Sequence, residues 1–141
     1  VTQDFIAVHD GPELIASGRI SGDLPPKANS RKIARHGSLL RVIKSREALA
    51  WAKRFRALAQ ATLLNYRFKP VEGTKDNQFE LHVSVTYSSW RRDVEIELLK
   101  DVIQDAGIIN NDRWITRLVV DRTVDRRTPR TEWRLLRRGE A

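Results

Sequence analysis

The sequence predicts a single α+β domain, a mixed sheet with two main helices packed on it. Three observations predict it. Residues 45–68 carry apolar side chains at helical spacing, and residues 79–88 alternate between apolar and polar. A chain of 141 residues with no internal repeat is long enough for one buried core.

The elements follow in order. Residues 1–13 read as an N-terminal extension, 14–138 as the domain and 139–141 as a tail. Residues 14–23, "LIASGRISGD", alternate loosely and give a first strand weakened by its glycines. In "LPPKANSRKIARHGS" two prolines interrupt regular structure, and Asn29, Ser30 and Gly37 favour turns, so an exposed basic loop is expected. "LLRVIKS" has strand character, with Ser45 placed to cap the helix that follows. That helix, "SREALAWAKRFRALAQATLLNYRF", sets Ala48, Trp51, Ala52, Phe55, Leu58, Ala59 and Thr62 on one face and Lys53, Arg54 and Arg56 on the other.

After the linker "KPVEGTKDNQ", the strand "FELHVSVTYS" puts Phe79, Leu81, Val83, Val85 and Tyr87 on its buried face. A second helix over "RRDVEIELLKDVIQDAG" takes Val94, Leu98, Val102 and Ala106 as its stripe, widened by Leu99 and Ile103, and stops at Gly107. "WITRLVVDRTV" and "TEWRLLRR" then close the chain as two strands around "DRRTPR".

Composition bounds the function. The absence of cysteine excludes disulfides and thiolate zinc sites. No apolar run spans a bilayer, and "VTQDFIAVHDGPE" lacks the features of a signal peptide, so a cytoplasmic protein without a membrane partner is expected. Lys and Arg number 26 against 18 Asp and Glu, a net charge of +8, and such a balance favours polyanions. Between Lys27 and Arg56 about ten basic residues face the single acid Glu47. Lys27, Asn29, Arg31, Lys32, Arg35, Arg41 and Lys44 are the candidate phosphate contacts. Arg126, Arg127, Arg130, Arg134, Arg137 and Arg138 form a second basic group, equally readable as a solvated surface. An RNA-binding or protein-binding reading lacks an aromatic motif of the RNP kind.

Against this charge, Asp93, Glu97, Asp101 and Asp105 recur every four residues, with Glu95 among them. Like charges at that spacing on a helix repel by about 0.2–0.5 kcal/mol per pair. Either basic neighbours such as Lys100 neutralise the row or it holds a hard cation, for which Mg²⁺ is the natural occupant. Asp112 follows the helix and would join the group only if the chain doubles back. Trp90, Trp114 and Trp133 read as core residues first and interface residues second. His9, His36 and His82 show no catalytic or metal-ligating spacing, although His36 lies where phosphate could touch it.

Two stretches together resemble the RusA-type Holliday-junction resolvases, small metal-dependent endonucleases of phages and prophages. "LPPKANSRK" followed by "LLRVIKSREALAWAKRF" is similar to the family's proline-rich turn, basic loop and Ser-led helix. "RRDVEIELLKDVIQDAGIINNDRWI" is similar to its acidic motif: an Arg-rich lead, Asp-x-Asp-Asn, a Lys, Asp-Ala-Leu, a Gly and a final Asp pair. The resemblance covers about residues 14–125.

In an ungapped register Arg91 replaces the first Asp. Asp93 then takes the second, Val94 the Asn, Glu97 the Lys, Asp101 the Asp of Asp-Ala-Leu and Asp112 the last Asp. A shifted register makes Asp93 and Glu95 the Asp-x-Asp pair. It requires a two-residue deletion that would turn the buried stripe by about 200°. Both registers keep Asp93 and Asp112, and the third carboxylate is Glu95 or Glu97, with the order Arg-Arg-Asp-x-acid favouring Glu95. Lys100 stands in for the family's Lys.

The resemblance thus implies a RusA-like fold, a homodimer, and Mg²⁺ (or Mn²⁺) on Asp93, Glu95 or Glu97, and Asp112. It implies paired nicking of four-way junctions, with a DNA-structure-binding protein that does not cut as the alternative.

Overall fold

The computed structural model describes residues 3–9, 11–26, 31–36, 39–44 and 46–139, with backbone alone for 31–36 and 39–44. Among the described residues, alternation and helical spacing resolve into seven strands and two α-helices. In order these are β1 (Phe5–Val8), β2 (Leu14–Ser21), β3 (Arg31–His36), β4 (Leu39–Lys44), α1 (Arg46–Asn65), β5 (Phe79–Tyr87), α2 (Glu97–Asp105), β6 (Ile115–Val124) and β7 (Arg130–Arg137). A short 3₁₀ turn, Asp112–Trp114, leads into β6. The main sheet runs β1-β2-β7-β5-β6, and it is mixed: β5 and β6 are parallel, and every other neighbouring pair is antiparallel. A single α+β domain with a mixed sheet and two helices is therefore what forms.

The apolar face of β5 is the expected one, with Phe79, Leu81, Val83, Val85 and Tyr87 all buried, and Thr86 on the other face is buried as well, hydrogen-bonded to Thr123. α1 covers that face with Ala48, Trp51, Ala52, Phe55 and Ala59. Phe55 stacks between Trp51 and Trp133, at centroid separations of 5.9 and 5.7 Å. Close approach at this point depends on Gly18 of β2, where a Cβ would stand 2.7 Å from Trp133 Nε1.

Several expectations are corrected. Residues 5–8 pair with β2 and form an edge of the sheet, so this part of the N-terminal extension belongs to the domain. The expected basic loop contains a β-hairpin, β3 with β4, forming its own two-stranded sheet. Ser45, proposed as a cap, lies outside the described residues. α2 begins at Glu97, four residues later than the acidic row requires, and Val94 is exposed rather than part of its buried stripe. Its end is as expected: Gly107 has φ +87°, its N–H donates to Gln104 and that of Ile108 to Ile103. Of the tryptophans, Trp133 is in the core, Trp114 packs partly against it, and Trp90 is exposed.

The face of the sheet opposite the helices is polar. Glu80 Oε2 lies 2.7 Å from His82 Nε2, and its Oε1 lies 3.0 Å from Arg117 Nε. The hydrogen bond with His82 first, and the Arg117 charge after it, outweigh desolvation and hold the Glu80 carboxyl below its ordinary 4.5. His9 likewise hydrogen-bonds Ser17, so the two histidines whose side chains are described have local partners.

Gly18→Ala should destabilise the fold by about 1–3 kcal/mol, seen as a lower urea midpoint with the slope of the transition unchanged. A carboxyl lowered in the folded state adds stability above its unfolded pKa, and that stability is lost as pH falls through the folded value. Glu80→Gln should therefore lower the Tm at neutral pH, and the gap to wild type should close below about pH 4. Thermal scans across pH 3–7 read this, and a gap that widens in acid would refute it.

Candidate functional site

The site is built at the end of the sheet where β5 stops. β2 and β5 run in the same direction, each antiparallel to β7, so their last residues reach the same end. There Asp23, two residues beyond β2, receives the chain leaving β5. Ser88 donates its backbone N–H and its hydroxyl to the two Asp23 oxygens, both at 2.7 Å. Arg92 stands 3.8 Å from Asp23 through Nε and 3.2 Å from Glu47 of α1 through its terminal nitrogen.

Two more contacts fix the segment between β5 and α2. The Tyr87 hydroxyl donates to the Asp93 carbonyl at 3.4 Å, and burial pushes its pKa up, so the donor persists at neutral pH. The Arg122 guanidinium lies 5.4 Å from the Tyr87 ring and 5.2 Å from the Trp90 ring, and it donates to the Trp90 carbonyl at 3.0 Å. Residues 88–96 are thereby held as bends, a turn and irregular backbone rather than as the first turns of a helix.

Pro26, Arg91, Arg92, Asp93, Val94 and Glu95 line an open concavity of about 490 Å³ here. Pro26 precedes the β3–β4 segment and Glu47, at the start of α1 after it, pairs with Arg92, so the residues flanking the hairpin lie on this concavity or are bound to its wall. Of the DNA-binding candidates, Lys27 and Asn29 lie outside the described residues. Arg31, Lys32, Arg35, Arg41 and Lys44 lie on the hairpin backbone, with side chains outside the description.

The candidate carboxylates divide into three groups. Asp93 and Glu95 line the concavity together. Glu97 starts α2 and pairs with Lys100 at 3.7 Å, so both are engaged with each other on the helix. Asp112 is elsewhere. Its backbone N–H donates to the Gln104 side chain at the far end of α2, and it opens the short turn that leads to Ile115, the β6 residue that pairs with Phe79 at the start of β5. Asp112 thus enters at the Phe79 end of β5, whereas Asp93 is held by the hydroxyl of Tyr87 at the other end, and the strand between is about 26 Å long at 3.3 Å per residue. The chain does not double back, and within one chain Asp112 does not join Asp93 and Glu95.

Two carboxylates on one concavity match the way Mg²⁺ is usually held, by one or two carboxylates with water and phosphate oxygens completing the shell. Among the described residues no group of three or more His, Asp or Glu side chains is placed to hold a metal. One chain thus fits part of the expected donor set.

Three of the six C-terminal arginines are committed locally. Arg130 binds Glu132, Asp125 and Thr128, Arg137 binds Asn77 and Arg138 binds Thr116. The residues that sequence reasoning missed are Asp23, Glu47, Ser88 and Arg122. Their spacing carries no signal, because each acts through a tertiary contact. A scan of the chain against protein-family models gives no match, and a search of curated proteins gives none either.

Asp23→Ala should remove both acceptors from Ser88 at a cost of about 2 kcal/mol. Amide exchange should quicken at residues 88–95 while β5 and α1 stay protected. Unchanged exchange across that segment would show that Asp23 does not hold it.

Proposed function

We propose that the chain is a metal-dependent endonuclease that nicks branched DNA in pairs, four-way junctions above all, and works as a homodimer. The observation that carries the reading is the shared concavity of Asp93, Glu95, Arg91 and Arg92, with the basic hairpin joined to the fold beside it. The order of motifs that resembles the RusA-type resolvases supports it. A Mg²⁺ or Mn²⁺ ion bound there would polarise the phosphodiester and activate the attacking water.

Asp93 and Glu95 supply protein oxygens to that ion. Arg91 offsets their repulsion of phosphate, while Arg92 and Lys100, the family-like lysine, are each held in ion pairs with carboxylates of their own. Lys27, Asn29, Arg31, Lys32, Arg35, Arg41 and Lys44 carry the flanking backbone, a sequence-independent grip that should weaken steeply with salt. A three-carboxylate site needs Asp112 of the partner subunit, because a single chain holds its own Asp112 at the opposite end of β5. Two-fold symmetry then provides two equivalent sites, as paired nicking of a symmetric junction requires.

The second reading is a protein that binds branched DNA without cutting it, favoured by the pair rather than trio of carboxylates in one chain. A labelled four-way junction beside a linear duplex, with Mg²⁺ or EDTA, separates the two. Symmetric nicking of the junction alone in Mg²⁺ is expected; a shifted but uncut junction would leave the binding reading. Asp93→Asn and Asp112→Asn chains should each be inactive as homodimers. Mixed and reassociated, they should regain nicking, since one site of each heterodimer then carries all its carboxylates. No recovery, with heterodimers present by mass, would place the site within one chain.

A further inference from the structure

β6 is an edge of the sheet, ten residues long, with neither Pro, Gly nor Lys to guard it. Most of its residues are exposed on both faces. Leu118 and Val120, paired with Leu81 and Val83 of β5, lie on the face of the sheet that carries the core, yet they remain 43% and 37% exposed. An apolar face stops short, beside an unpaired row of backbone donors and acceptors.

We propose that a second copy of this chain covers it, β6 pairing antiparallel with β6 about a two-fold axis through Val119. The register follows from symmetry and charge. A two-fold axis normal to the sheet keeps each face on its own side, so only registers centred on a residue, not between residues, keep Leu118 and Val120 on the core-bearing face. Centred on Val119, Leu118 meets Val120 and Arg117 meets Asp121, each contact made twice. Centred on Leu118, Arg117 meets Val119 and Asp121 meets Ile115. Centred on Val120, Leu118 meets Arg122 and Val119 meets Asp121. One register alone of these three matches apolar with apolar and cation with anion, and such cross-strand pairs are what stabilise a ladder.

The inference rests on the dimer proposed above and gives that dimer its interface. Antiparallel pairing also brings the Asp112 end of one β6 to the Val124 end of the other. That is the end where Tyr87, paired with Val124, leads into the segment bearing Asp93 and Glu95.

The chain contains no cysteine, so Val119→Cys offers a direct test. In this register the two Val119 Cα atoms lie about 4.5–5.5 Å apart, within disulfide reach. Mild oxidation should therefore link Val119→Cys into covalent dimers, and Thr123→Cys, whose copies would be about 27 Å apart, should stay unlinked. Asp121→Arg sets like charges opposite each other and should weaken self-association about tenfold or more by sedimentation, with the circular dichroism of wild type retained. A dimeric wild type whose Val119→Cys does not link, or whose Asp121→Arg variant associates unchanged, would overturn this interface and leave the dimer standing. A wild type that stays monomeric at tens of micromolar would overturn both.

Discussion

The parallel pairing of β5 with β6 is the constraint on which the rest depends. Parallel neighbours cannot be joined by a tight turn, so the chain must return along the sheet before the second strand begins. α2 makes that return. Whatever leaves the end of β5 is therefore one strand length from whatever precedes β6, and Asp93 and Asp112 inherit that separation.

The same crossover explains why the acidic row is not a row. Had the helix run from Asp93, four carboxylates would have stacked at i, i+4 spacing with mutual repulsion. Instead the segment is caught by contacts stronger than helix propensity: Ser88 on Asp23, the Tyr87 hydroxyl on the Asp93 carbonyl, and Arg122 between two rings. The helix starts at Glu97, where a carboxylate suits the N-terminal dipole and has Lys100 three residues on. Asp93 and Glu95 are left on non-helical backbone, facing an open concavity rather than a helix flank.

This division marks what the sequence discloses. α1 and β5 are legible because one periodicity governs each over its whole length, and their buried faces are the expected ones. The stop at Gly107 is legible because the left-handed conformation there favours glycine. The start of α2 is not, since Val94 stands in phase with Leu98 and a stripe of that phase reads as helix. β1 is short and carries no alternation of its own; pairing with β2 makes it a strand. Of the hairpin, β4 is legible from its own residues, and β3 is not, because turn-forming Asn29, Ser30 and Gly37 stand on either side of it. Of the candidate site, the pairing of Asp93 with Glu95 was legible, whereas the place of Asp112 depended on strand direction, which spacing does not encode.

Edge and site then become one problem. A mixed sheet that ends on a long parallel strand must leave that strand uncovered or share it, and β6 has the length and the apolar side chains of a shared strand. Sharing it by a two-fold axis reverses the direction of the added strand, and that reversal is what a parallel crossover lacks. It carries the beginning of one β6 to the finish of the other, across two strand spacings of about 4.8 Å each rather than along 26 Å of β5. In the proposed dimer, a topology that separates the carboxylates within a chain would bring them toward each other between chains, by way of the fold's own exposed edge.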